Sequence, residues 1–150
     1  MRQFKEEILQ KCKEIVDEKL QSLFYEFNVL NESAETESKS TAGDKHETGR
    51  AMIQLEQEKL GKQIQEWETQ KTVLEKIDLC KDREQITIGS LIETNYGLFF
   101  IANNLGKITV NDQEIIIVSN HSPIAKLFSG CKLNDKLSFN NTHYIIKSIY

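Results

Sequence analysis

The chain has few cysteines, a single proline and no long apolar run. Its 150 residues include three cysteines, Cys12, Cys80 and Cys131, which are odd in number and widely spaced. Such spacing offers neither a disulfide framework nor a zinc-ligand set, so a reducing, cytoplasmic environment is expected. No stretch reaches the roughly 18 apolar residues of a membrane span, and the charged N-terminal segment lacks the apolar core of a secretion signal. Membrane proteins and disulfide-rich secreted proteins are therefore excluded.

Charge is distributed unevenly along the chain. The formal net charge is −4, which argues against a protein held on free nucleic acid by electrostatics alone. Residues 1–80 carry 12 basic and 17 acidic side chains, whereas residues 81–150 carry 7 and 6. The change in composition predicts two domains, 1–80 and 81–150.

Residues 1–80 have the apolar spacing of two long amphipathic helices. The predicted stripes are Ile8, Cys12, Ile15, Leu20, Leu23, Phe27 and Leu30, then Met52, Leu55, Leu60, Ile64, Trp67, Leu74 and Ile77. Between them, "NESAETESKSTAGD" is polar and predicts a loop. The pattern is typical of an antiparallel coiled-coil hairpin with a polar tip near residues 31–47.

Residues 81–150 change to β-branched residues at a period of two. The strand candidates are "QITIGSLIET", "LFFIA", "KITV", "EIIIV" and "THYIIKSI", separated by the turn sequences "NYG", "NNLG", "ND" and "NN". In "HSPIAKLFSG", Ser122 suits an N-cap, Pro123 the first helical position and Gly130 the stop. Ile124, Leu127 and Phe128 are then expected to face a sheet. The predicted fold class is α+β, with a small antiparallel sheet and one short helix.

Two acids in "STAGDKHETGR" admit two interpretations. Asp44 and Glu47 have the spacing of a capping box, in which each side chain bonds a backbone amide at the start of a helix. Alternatively, a helical rod holds the two carboxylates outward, where they provide part of a Mg²⁺ site. Two carboxylates are too few for a complete site, so the second interpretation requires a partner that supplies the other ligands.

Two segments of the chain resemble the bacterial transcript cleavage factors GreA and GreB. In "GDKHETGRA", Gly43, Asp44 and Glu47 match the Gly-Asp-x-x-Glu start of that family's tip motif. "SNHSPIAKLFSGCKLNDKLSF" is similar to the family's Asn-Ser-Pro-Ile-Ala segment and the turn that follows it. Length, the order of hairpin and sheet, and the last strand "HYIIKSIY" also fit, so the resemblance covers most of the chain.

The resemblance implies a fold and a mechanism. The sheet domain would be FKBP-like and would dock on bacterial RNA polymerase at the mouth of the secondary channel, with His121, Ser122 and Pro123 on the docking surface. The coiled coil would pass down the channel, where Asp44 and Glu47 help hold Mg²⁺ beside the 3′ end of a backtracked RNA. The polymerase would then cleave the transcript, so this chain would be an accessory factor and not itself an enzyme.

The tip departs from the family pattern directly after Glu47. Thr48, Gly49, Arg50 and Ala51 replace the family's Asn-x-Glu-Tyr. Arg50 is either a donor to an RNA phosphate or a solvated surface residue. The replacement favours an alternative function, a secondary-channel regulator that does not support cleavage. A third hypothesis is a free-standing binding or chaperone-like module.

Overall fold

The computed structural model describes residues 1–38, 43–80 and 85–150. The chain forms two compact units. The hairpin unit comprises Glu14–Lys71, and the sheet unit comprises Met1–Lys13 together with Thr72–Tyr150. The first helix therefore contributes to both units.

Two long helices make the hairpin. Helix α1 covers Arg2–Ser38 and helix α2 covers Gly43–Glu75. The salt bridge from Lys71 Nζ to Asp17 Oδ1 is 2.9 Å long, and Gln57 Nε2 donates to Asn31 Oδ1 over 2.8 Å. From Asp17 to Asn31 along α1, the bonded residue on α2 goes back from Lys71 to Gln57. The two helices therefore run antiparallel. The predicted hairpin is confirmed.

The contact seam follows a heptad pattern more strictly than the predicted stripes. On α2 the buried and half-buried positions 53, 57, 60, 64, 67, 71 and 74 alternate steps of four and three. This pattern leaves Met52 and Leu55 outside the seam, where they are 67% and 66% exposed. Their assignment to the stripe was wrong, because Ile53 and Gln57 occupy the heptad positions instead. Val16 is likewise fully buried, whereas its neighbour Ile15 is only half-buried.

Most of the predicted polar loop, residues 31–44, is helical. Residues 31–38 continue α1, and α2 already begins at Gly43. Ser33 Oγ donates to the Val29 carbonyl and Thr36 Oγ1 to the Glu32 carbonyl, both over 3.1 Å. Each hydroxyl donates to a backbone carbonyl one turn earlier in α1. The polar side chains thus have hydrogen-bond partners, and the helix continues past them. Positions 39–42 of the predicted loop lie outside the described residues.

In its described residues from 85 to 150, the sheet unit contains six strands and one short helix. Their bounds are β1 Leu91–Thr94, β2 Gly97–Ala102, β3 Gly106–Val110, β4 Gln113–Ser119, α3 Pro123–Phe128, β5 Lys136–Phe139 and β6 Thr142–Ile149. The strand order is β3-β4-β2-β1-β6-β5. The α+β prediction is confirmed, with one departure from the expected antiparallel sheet. Strands β2 and β4 pair in parallel, because the hairpin β3–β4 returns the chain to the edge of β2.

Tight turns explain the register of both terminal hairpins. Asn111 and Asp112 join β3 to β4 with φ of 50° and 61°, and Asn140 and Asn141 join β5 to β6 with φ of 49° and 62°. Two positive φ values in a two-residue loop suit the right-handed twist of the flanking strands, and Asn and Asp tolerate them. The turns "ND" and "NN" are thus confirmed. Strand β5 was missed, because its four residues, "KLSF", resemble part of a turn when their partner β6 is not considered.

Both faces of the sheet are covered. Alternation along each strand sends Ile92 to one face and Leu91 to the other, and both are fully buried. The core on the α3 face consists of Ile86, Ile92, Phe99, Ile101, Val118, Ile124, Ala125, Phe128 and Ile146. Near the other face, Asn111 Nδ2 donates to Glu7 Oε2 over 2.6 Å, which ties the β3–β4 turn to the first part of α1.

Cys12 makes the stability of the sheet unit depend on pH in alkaline solution. The thiol is fully buried, and burial raises its pKa from 9.0 to about 12. The folded state thus holds this proton more tightly than the unfolded state. The resulting stabilisation is complete below pH 9 and is lost as the pH rises towards 12. In urea titrations the wild type should lose stability over this range more steeply than Cys12→Val, which keeps a similar apolar volume. Identical slopes would contradict the assignment.

Candidate functional site

The two tip acids lie at the start of α2. The helix begins at Gly43, so Asp44 belongs to its first turn and Glu47 follows one turn later. A capping box would place Asp44 at the N-cap, which lies within the one or two residues by which assigned helix starts vary, so both interpretations of the acids stay open. Glu47 is exposed. The side chain of Asp44 lies outside the described residues, as does that of His46.

Glu47 is a free carboxylate within the described part of the chain, where no ion pair involves it. Residues 48–51 are all helical, with Gly49 half-buried and Thr48, Arg50 and Ala51 exposed. The replaced tip residues therefore continue the helix without interruption. Glu47 and Arg50 are three residues apart, so they are neighbours on the surface of α2.

Arg50 borders a polar cavity between the two helices. The cavity has a volume of about 300 Å³ and is lined by Ala34, Arg50, Ile53, Gln54 and Gln57. No ion pair involves the Arg50 guanidinium among the described residues. The geometry leaves open both interpretations of Arg50, as a phosphate contact and as a solvated cation.

The second candidate segment surrounds the start of α3. Ser122 is the N-cap, with φ −68° and ψ 149°, and its hydroxyl accepts from the Ala125 amide over 3.3 Å. His121 N donates to Ser119 Oγ over 3.2 Å, while the side chains of His121 and Pro123 are exposed. The predicted cap is confirmed. The three residues are brought together on one loop, in which Ser122 has a structural task and His121 and Pro123 face solvent.

Helix α3 presents a different face from the expected one. Ile124 and Phe128 are buried as predicted, but Leu127 is 43% exposed and Ala125 takes the inner position. The helix ends at Phe128 with Ser129 as the C-cap, before the predicted stop at Gly130. A helix this short buries only the side chains on the face towards the sheet, and Leu127 is not on that face. Leu127 thus joins Pro123 as an exposed apolar residue on α3.

Two features near α3 carried no signal in the sequence. Leu133 is 56% exposed. Two residues earlier, Cys131 is half-buried, and its thiol donates to the Leu127 carbonyl over 3.2 Å. Asn103 follows β2 and is 2% exposed, and its amide has no hydrogen-bond partner among the described residues. Ala102 pairs with Ser119, so the chain leaves β2 and β4 at the same end of the sheet, close to the α3 loop.

The described residues contain no cluster of three or more His, Cys, Asp or Glu side chains that could hold a metal ion. A site built from Asp44 and Glu47 would be a partial one, because two carboxylates leave most positions around a Mg²⁺ ion to other ligands. No helix in the described part of the chain is long and apolar enough to cross a membrane.

Removing the Ser122 hydroxyl should weaken the sheet unit through loss of the α3 cap. Replacing an N-cap serine by alanine typically costs about 1 kcal/mol, so Ser122→Ala should lower the free energy of unfolding by about that amount in urea titrations. Ser122→Asp keeps an acceptor for the Ala125 amide and should remain close to the wild type. Equal stability of the alanine and aspartate variants would show that the hydroxyl does not cap α3.

Comparison with known proteins identifies no family. No family model matches the chain, and no curated protein matches it. The solved structure of the transcription factor Gfh1 is similar over 93% of each chain, with 14% sequence identity and a TM-score of 0.37. A likeness at this identity and TM-score assigns neither a family nor a function to this chain.

Proposed function

We propose that this protein is a transcription elongation factor that enters the secondary channel of bacterial RNA polymerase and stimulates cleavage of backtracked transcripts. The observation that carries the proposal is the position of Asp44 and Glu47 on the hairpin. They lie at the start of α2, whereas the chain leaves the hairpin unit at Lys71. At 1.5 Å per residue, roughly 35 Å of helix separates Glu47 from Lys71. A pair of acids at the tip of such a rod is suited to delivery into a narrow channel.

The donor set at the tip fits a Mg²⁺ ion shared with a partner. Mg²⁺ is commonly bound through one or two carboxylates, with water and substrate phosphates completing the shell. Asp44 and Glu47 would supply those carboxylates, and the polymerase would supply the rest. When bound, the ion would stabilise charge on the phosphodiester during hydrolysis. The tip would bring negative charge to the polymerase active centre, without performing catalysis on its own.

The loop before α3 is the proposed docking element on the sheet unit. His121 and Pro123 are exposed, and the cap formed by Ser122 holds their backbone in place. Leu127 adds apolar surface on the same short helix. An exposed apolar patch with a polar margin is typical of a protein interface. These residues would hold the factor on the polymerase at the channel entrance, with its tip directed inward to the 3′ end of the nascent RNA.

A regulator that enters the channel without supporting cleavage is the second candidate. Arg50 lies one turn beyond Glu47 on the helix surface, and no ion pair holds it elsewhere among the described residues. A cation three residues away on the same helix surface competes with a metal ion for the Glu47 carboxylate. In this candidate Arg50 weakens the shared site, and the rod acts by occupying the channel.

A cleavage assay on backtracked elongation complexes separates the candidates. With polymerase from the organism that makes this protein, a cleavage factor shortens the RNA from its 3′ end in a Mg²⁺-dependent way. A regulator binds the polymerase and alters nucleotide addition but leaves the RNA length unchanged. If the protein does not bind the polymerase at all, both candidates are wrong and the free-standing binding module is favoured.

A further inference from the structure

Burial differs sharply between the two ends of the hairpin unit. In the inner half, residues 14–28 and 60–71, Val16, Leu20 and Leu23 are at most 6% exposed, and Leu60 and Ile64 are at most 9% exposed. In the outer half, which we define as residues 29–36 and 47–59, no side chain is buried. Local stability follows the number of buried apolar contacts, so the outer half is held together much less strongly than the inner half.

A polar pair joins the two helices in the outer half. Asn31 and Gln57 are half-buried on facing helices, and their amides are joined by the 2.8 Å hydrogen bond. Polar residues at seam positions reduce the stability of coiled coils, but they select one register because any shift leaves the amides unpaired. The pair therefore aligns the two helices where apolar contacts are weakest.

The cavity of about 300 Å³ lies next to this pair. Ala34 and Ile53 line it, and their side chains are half-buried. A small side chain at position 34 fills little of the space between the helices, so the atoms that line the cavity lack packing partners. Loss of these contacts further reduces the closing energy of the outer half.

We propose that the outer half of the hairpin is a separate opening unit. Its two helix segments part while the inner half stays closed, and the Asn31–Gln57 hydrogen bond sets the register in which they close again. Because Glu47 and Arg50 belong to the outer half, their placement depends on the closed form. The proposal rests on burial and packing, and it holds whether or not the protein acts on RNA polymerase.

Hydrogen exchange of the full chain tests the opening directly. Burying one or two leucine side chains changes a local equilibrium by about 100-fold. Amides of residues 29–36 and 47–59 should thus exchange roughly 100-fold faster than those of residues 14–28 and 60–71 when measured by mass spectrometry. Equal protection of the two halves would overturn the proposal.

A pair of leucine substitutions tests the role of the polar contact. Asn31→Leu combined with Gln57→Leu makes this contact apolar. Hydrogen exchange in the outer half should then slow at least 10-fold, because an apolar contact between the helices is more stable than a polar pair. Asn28→Leu is the matched control, because Asn28 is an exposed amide that does not line the cavity; it should leave exchange unchanged. Nuclear Overhauser contacts between the helices should show one register in the wild type and more than one in the double variant. Unchanged exchange and register in the double variant would show that the polar pair does not control closure.

Discussion

Asp44→Asn and Glu47→Gln are each expected to reduce transcript cleavage by at least 100-fold while polymerase binding is retained. Each substitution keeps the size of the side chain and removes the charge that a shared Mg²⁺ requires. Removing one electrostatic contact to a transition state typically costs about 100- to 1,000-fold in rate. The rate of RNA shortening in backtracked complexes measures the effect, and co-purification with polymerase measures binding.

The control for the tip variants is Glu58→Gln, which removes an exposed carboxylate elsewhere on α2. Loss of net charge alone would affect all three variants alike, whereas a metal-holding role affects only Asp44 and Glu47. If the tip variants cleave as fast as the wild type, the acids do not hold the metal. If the wild type binds polymerase without cleaving, the non-cleaving regulator is the correct candidate.

Phe128→Ala is expected to lower the free energy of unfolding of the sheet unit by about 3–5 kcal/mol, the usual cost of truncating a buried phenylalanine. Phe128 is fully buried, and its ring packs edge-on against Phe99 at 5.1 Å and Tyr144 at 6.3 Å between ring centroids. It attaches α3 to the sheet, so the docking loop should lose order with it. Urea unfolding followed by near-ultraviolet circular dichroism reports on this aromatic cluster.

Leu127→Ala supplies the comparison, because the neighbouring side chain is 43% exposed and fills no part of the core. A surface truncation of this kind typically changes stability by less than about 0.5 kcal/mol. A large loss in Leu127→Ala, or a small one in Phe128→Ala, would mean that α3 packs on the sheet through the opposite face. Polymerase binding adds a second readout, since the proposed docking role predicts weaker binding for Leu127→Ala at normal stability.

Features governed by a few neighbouring residues could be predicted from the chain alone. The Ser122 cap and the following Pro123 define the start of α3 through one hydroxyl and one fixed φ angle. The Asn140–Asn141 turn depends only on residues that tolerate positive φ. The hairpin could also be predicted from local periodicity, because two long helices with apolar stripes bury those stripes by packing against each other.

Features that depend on distant partners were predicted poorly. Met52 and Leu55 are apolar, yet the heptad register set by the facing helix places Ile53 and Gln57 in the seam. Strand β5 exists through its pairing with β6, and its four residues carry little propensity of their own. The parallel pairing of β2 with β4 could not be read from either strand, since alternation is the same in both orientations.

The sequence by itself determined the types of most elements, the positions of the tight turns and the presence of an acidic pair where the second helix begins. These depend on contacts within a few residues, whose energies do not require the rest of the chain. Only the tertiary structure decided which apolar residues are buried, how far α1 and α2 extend, and where the hairpin seam becomes polar. Each of these outcomes depends on which side chains of two elements contact each other, and register and packing decide those contacts.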